Sequence, residues 1–211
     1  MGGRGASDWG GGGGGVSITV AETRDLVSER ERKQVEVDQV LTTARNIMDD
    51  YGYIIEGLDV SKLKGRGAKS VIAYFSPSDG TLGVNEYFFD AEKLEGAYAD
   101  SIKSGFHPKK PKRISALEAV TAHEMGHALN QAVADKLGGN IDSIADRIVA
   151  EAYGTNQKEK IKRRNAKISG YAGQDNAEAI AEAFADVYCN GKKAKADSKR
   201  IKETLDRYMR Q

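Results

Sequence analysis

Ser115-Ala-Leu-Glu118-Ala-Val-Thr-Ala-His123-Glu124-Met125-Gly126-His127-Ala-Leu129 is the stretch that decides the fold class of this chain. Ser115 and Glu118 stand at the S-x-x-E spacing of a capping box, in which each side chain satisfies an orphan backbone amide of the first helical turn. That spacing predicts a helix from Ser115 to the Gly138-Gly139 pair. Inside it, His123 and His127 are four residues apart, so they share one helix face and two imidazoles can point at a single ion. On a helical wheel Ala122, Met125, Leu129, Ala132 and Val133 form one apolar face, with the two histidines nearly opposite, towards a cleft.

The chemistry that H-E-x-x-H spacing suits is zinc hydrolysis. Zinc takes imidazole nitrogen at about 2.0–2.1 Å and, in catalytic sites, holds three protein ligands and a water. It brings the pKa of that water to roughly 7. Glu124, beside the first histidine, is placed to accept the water's proton as general base and to pass it to the leaving amine. The chain has only three histidines, so a chance match is improbable; two surface histidines on an ordinary helix is the bland alternative.

The third ligand is not given by the motif. A metzincin would carry a histidine six residues after His127, where Val133 stands, so that class is excluded. His107, next to Pro108 in an upstream loop, reads as a structural or substrate-facing residue rather than a ligand. A glutamate from a later helix is the better candidate. Ala177, Ile180, Ala181, Phe184, Ala185 and Tyr188 make an apolar stripe, flanked by Glu178 and Glu182 one turn apart. One carboxylate could bind the metal while the other accepts a hydrogen bond from a ligand histidine. On their own, two such glutamates would more often be solvated.

These residues together bear a family resemblance. His-Glu-Met-Gly-His, followed by Tyr171, Glu178, Glu182, Ala183 and Phe184, resembles the gluzincin-type metalloprotease domain of anthrax lethal factor and the clostridial Pro-Pro endopeptidases. In that family a tyrosine precedes the glutamate ligand by seven positions, as Tyr171 precedes Glu178. The resemblance implies Glu178 as third zinc ligand, Tyr171 as donor to the oxyanion of the tetrahedral intermediate, and Glu182 as the carboxylate behind a ligand histidine. It covers mainly residues 115–135 and 169–186. Glu182-x-x-x-Asp186 also fits the thermolysin-like pattern, which would make Glu182 the ligand; the tyrosine spacing favours Glu178. The glycine-rich start, residues 2–7, resembles proteins of phages and mobile elements.

Around this centre, residues 30–51 carry Val37, Val40, Leu41, Ala44, Ile47, Met48 and Tyr51 at helical spacing, ended by Gly52. Tyr53–Ile55, Ser70–Ser76 and Thr81–Phe89 are rich in β-branched and aromatic residues and predict a small sheet. Pro77-Ser78-Asp79-Gly80 predicts a hairpin turn between Val71–Phe75 and Leu82–Phe89. Leu94, Tyr98 and Ile102 predict a short helix broken at Gly105 and Pro108. The rest reads as helical: a stripe from Ile141 to Ala152, a basic polar stretch from Lys158 to Lys167, a helix over Ala177–Cys189 stopped by Asn190-Gly191, and a basic last helix with Ile201, Leu205, Tyr208 and Met209. The expected fold is α+β and zincin-like: a small twisted sheet, an active-site helix and a mostly helical C-terminal half. Residues 1–15 are expected to be a disordered glycine-rich tail, with Trp9 inside it. Residues 16–211 are expected to form one domain, a helix-plus-sheet lobe over 16–114 and a helical lobe over 115–211.

Composition narrows the partners. Of 211 residues, 39% are hydrophobic and 30% charged, with a net charge of +1. That balance points to neither nucleic acid nor membrane. A single cysteine, Cys189, excludes a disulfide framework and cysteine-rich zinc modules; it reads as a small apolar residue near a helix end. No run approaches the roughly 18 apolar residues of a membrane span, and the start lacks the apolar segment of a secretory signal, so synthesis in the cytoplasm is expected. Lys109, Lys110, Lys112 and Arg113 read as a solvated loop, or as a contact for acidic substrates. In zincins an edge strand pairs with extended substrate, and Leu82–Phe89 or its hairpin partner would supply it. The sequence thus predicts an endopeptidase with one zinc ion per chain, acting on a peptide or protein; the alternative is a non-catalytic phage or mobile-element accessory protein that keeps the fold.

Overall fold

The computed structural model describes residues 17–18, 34–61, 63, 71–88 and 90–211. The expected tail over 1–15, with Trp9, lies outside the described residues, as do the first four residues of the helix expected from 30. Seven helices are described: α1 (Gln34–Tyr51), α2 (Ala91–Lys103), α3 (Ala116–Leu137), α4 (Ile141–Tyr153), α5 (Lys158–Ile168), α6 (Asn176–Asn190) and α7 (Ala196–Arg210). Four short strands accompany them: β1 (Ser17–Ile18), β2 (Gly57–Ser61), β3 (Ala73–Ser76) and β4 (Thr81–Asn85). The fold is α+β and mostly helical. Among the described residues no helix is long and apolar enough to cross a membrane.

The strands lie in the order β1-β2-β4-β3, with β2 parallel to β4 and the other two pairs antiparallel. The expected hairpin is present: residues 77–80 turn, Gly80 adopts φ 66°, and Phe75 pairs with Leu82. Strand β4 stops earlier than its composition suggests. The Asn85 side chain donates to Val71 O at 2.8 Å and accepts from Tyr87 N at 3.1 Å, so Glu86–Phe88 curl into a 3₁₀ turn. Tyr53–Ile55 is not a strand. After Gly52 (φ 61°) reverses the chain, the amides of Tyr53 and Ile55 turn back to Met48, leaving Ile54 exposed, and pairing begins only at Gly57.

Helix α3 is the axis of the molecule. The capping box forms in both directions, with Ser115 Oγ accepting from Glu118 N and Glu118 accepting from Ser115 N, each at 3.0 Å. Gly138, at φ 62°, ends the helix. The two-sided wheel is corrected here. Ala122, Met125, Leu129 and Val133 are buried, but so are Ala119, Thr121, His123, Glu124 and Gly126. A helix covered on all sides needs neighbours all round: α1, α2, α4, α6, α7 and β3 supply them. The closest is α6. A Cβ on Gly126 would lie 2.8 Å from Ala181 Cα and 3.1 Å from Phe184 Cβ, so only a glycine allows the two backbones to approach this far.

The expected stripe on α6 is likewise wider than it reads. Ile180, Ala181, Phe184 and Ala185 are buried, and Glu178, Glu182 and Asp186 are buried with them. The basic stretch Lys158 to Lys167 is a helix whose Ile161, Asn165 and Ile168 face inward. Cys189 is buried and unpaired, its thiol pushed up to about 12 chiefly by burial. Lys110 is not a freely solvated cation: its ammonium donates to Glu95 of α2 at 2.9 Å and to Ile114 O, within the same loop, at 2.7 Å.

Candidate metal centre

Glu178 sits in the first turn of α6, where the Asp175 N-cap accepts from its amide at 2.9 Å and the helix dipole favours a carboxylate. Its Oε2 lies 3.2 Å from His123 Nε2 and 3.4 Å from His127 Nε2. Ligands held at about 2.0–2.1 Å on a tetrahedral zinc lie about 3.3 Å apart, so both edges have the length a shared ion would give them. Glu178 Oε2 is buried and, beyond its ion pairs with the two imidazoles, makes no hydrogen bond. Facing imidazoles that present a bare Nε2, that oxygen would be buried without a donor, which is costly, and a cation between the three atoms removes that cost. The donor set, two imidazoles and a carboxylate, is one that zinc accepts.

An oxygen of Glu124 also comes within 4.8 Å of ring nitrogens of both histidines. That places Glu124 beside the two imidazoles, whereas Glu178 Oε2 meets both at the closer spacing of an ion's ligand shell.

Behind the His123 imidazole stands Glu182, 1% exposed. Its Oε1 accepts from His123 Nδ1 at 2.9 Å and from His107 Nδ1 at 2.9 Å; its Oε2 accepts from Ser169 Oγ at 2.6 Å. Burial alone would raise its pKa, but His107 and His123 outweigh burial and hold it at about 2. An ionised carboxylate carries no proton, so both imidazoles donate through Nδ1–H, and His123 keeps Nε2 for a metal. Asp186, the other half of the thermolysin-like spacing, is occupied elsewhere, accepting from Asn190 at 2.8 Å and Lys195 N at 2.9 Å.

Tyr171 stacks on the His123 ring (5.3 Å, 11°) and on Phe106 (4.8 Å, 18°). Its hydroxyl donates to Glu178 Oε1 at 2.8 Å. Burial first, then Glu178 and Glu124, push the phenol far above its ordinary range, so it stays a proton donor. Burial also raises Glu124, against the pull of His123 and His127. For the histidines burial works downward, but the adjacent carboxylates prevail: His123 is raised well above 6.5, by Glu178 and Glu182, and His127 is raised mainly by Glu178.

A cavity of about 220 Å³ opens beside His123 and Glu124, with apolar walls from Ile72, Ala73, Phe88, Tyr98 and Val120. Edge strand β3 borders it. Of the two hairpin strands considered as the sheet's free edge, β4 is interior, between β2 and β3, and β3 is an edge strand among the described residues.

All six residues picked from the sequence, His123, Glu124, His127, Tyr171, Glu178 and Glu182, come together here. Ser169 and His107 were not foreseen as partners of Glu182. Ser169 is two residues from Tyr171, a weak signal; His107 is 75 residues from Glu182, and no pattern links them. No protein-family model matches the chain, and neither characterised proteins nor solved structures give a match.

Proposed function

We propose that this chain is a zinc-dependent endopeptidase of gluzincin type, with His123, His127 and Glu178 as ligands. The observation that carries the reading is the meeting of His123 Nε2, His127 Nε2 and the buried Glu178 Oε2 at 3.2 and 3.4 Å. The chemistry supplied by a metal there is Lewis acidity, which polarises a carbonyl and acidifies a water. Glu124 takes the proton from that water as its oxygen bonds to the carbonyl carbon, and returns it to the amine nitrogen as the C–N bond breaks. Burial suits Glu124 to this, because a carboxylate whose pKa is raised is a better base. Tyr171 holds Glu178 in line through Oε1 and, with substrate present, turns its O–H to the developing oxyanion. Strand β3 offers its outer edge to an extended peptide, and the apolar cavity beside Glu124 takes one of its side chains.

The test is elemental analysis of purified protein together with cleavage of a proteome-derived peptide library. About one zinc per chain is expected, lost in His123→Ala. Glu124→Gln is expected to keep zinc and lose cleavage by about 10²–10⁴-fold. Zinc bound with no cleavage by the wild type would favour a non-catalytic accessory protein instead.

A further inference from the structure

We propose that His107 is a positioning residue of the metal centre, holding the Glu182 carboxylate against His123 Nδ1; this rests on the metal-site reading above. His107 lies in the loop between α2 and α3, at no motif spacing from any site residue. Two backbone bonds fasten that loop to the segment before α6: Gly170 N donates to Gly105 O at 2.8 Å and Tyr171 N to Phe106 O at 3.0 Å. Gly170 permits this approach, since a Cβ there would stand 3.3 Å from Gly105 O. The His107 ring stacks on Tyr98 of α2 (5.1 Å, 5°), and its Nδ1 meets the same carboxylate oxygen as His123 Nδ1, each at 2.9 Å.

Three donors from three separate segments therefore fix one carboxylate: His107 from the loop, His123 from α3 and Ser169 from the end of α5. Oε1 has two lone pairs and both are used. Without His107 the carboxylate is free to swing towards Ser169, and the hydrogen bond that sets the His123 tautomer and ring angle lengthens. The third histidine thus supports the metal through Glu182 without ligating it. Because it also lines the cavity beside Glu124, it joins the cavity wall to the metal centre.

The experiment is Co²⁺ titration of the full chain, followed by visible absorption, for wild type, His107→Phe and His107→Asn. Phenylalanine keeps the ring on Tyr98 and removes the donor; asparagine restores an N–H near Nδ1. His107→Phe is expected to weaken Co²⁺ binding about 10–100-fold and to alter the absorption bands. His107→Asn is expected to recover both in large part, although it loses the stacked ring that Phe keeps. Equal affinity and spectra in wild type and Phe, or an Asn variant as poor as Phe, overturns the proposal. Nitrogen-15 spectra of the wild-type imidazoles give a second reading independent of any variant's folding: an Nδ1–H tautomer for His107 is expected, and an Nε2–H tautomer with bare Nδ1 overturns it. If the wild type binds neither Co²⁺ nor Zn²⁺, the metal centre itself fails and this role goes with it.

Discussion

Gly126 and Ala181 are in backbone contact: a methyl group on the first would stand 2.8 Å from the Cα of the second. That approach brings the first two turns of α6, and so Glu178 and Glu182, against the face of α3 that carries His123 and His127. In the H-E-x-x-H motif, the residue before the second histidine thus sets how near Glu178 can come.

Gly126→Ala tests this packing. Helix propensity alone would favour alanine by up to about 1 kcal/mol. Overpacking against a backbone atom typically costs about 1–3 kcal/mol, and here it outweighs propensity. Urea unfolding of the metal-free protein should show a net loss of stability, with weakened zinc binding because the two helices are pushed apart. A stabilised variant would show that the helices do not approach this closely.

Glu178→Gln and Glu182→Gln should separate the two carboxylates. The first removes the charge of the oxygen placed between the imidazoles and should abolish stoichiometric zinc binding at micromolar metal. The second leaves a carbonyl oxygen to accept from His107 and His123, and should weaken binding only about 10–100-fold. Competition with a chromogenic chelator measures both. The opposite order would make Glu182 the ligand.

Tyr171→Phe should retain zinc and keep the stack on His123 and Phe106, while lowering kcat about 10²–10³-fold with little change in KM. If kcat were unchanged and zinc affinity alone fell, the hydroxyl would serve only to align Glu178, the contact it makes at 2.8 Å.

Zinc binding should release protons. In the metal-free protein Glu178 and Glu182 raise His123 well above 6.5 and Glu178 raises His127, against the downward effect of burial. Both groups therefore hold protons at pH values where a free imidazole has begun to lose them, and metal binding needs them neutral at Nε2. Release of up to about two protons per zinc is expected near pH 7, declining as pH rises through the raised values. Calorimetry in buffers of different ionisation enthalpy measures it; no buffer dependence at pH 7 would contradict the raised values.

Local chemistry made much of this protein legible. The Ser115–Glu118 box, the glycine stops at Gly52 and Gly138 and the Pro77–Gly80 turn are short-range effects, and each appears where its residues predict it. The two histidines and Glu124 need only the periodicity of one helix. Where strand reading failed, a group just outside the segment took up its backbone or ended its pairing. Tyr53–Ile55 looks like a strand until the end of α1 takes up its amides, and β4 is shortened by Asn85 reaching back to Val71.

The amino-acid sequence alone determined the helix that presents two imidazoles and a carboxylate on neighbouring positions, because a fixed rise and twist per residue make that a local matter. Only the tertiary structure decided which glutamate points at the ring nitrogens and which stands behind them, that α3 and α6 are enclosed on every side, and that His107 shares Glu182 with His123. Those outcomes depend on how closely two helices can pack at Gly126 and on where a distant loop is fastened, and such distances are set by the whole core rather than by any one segment.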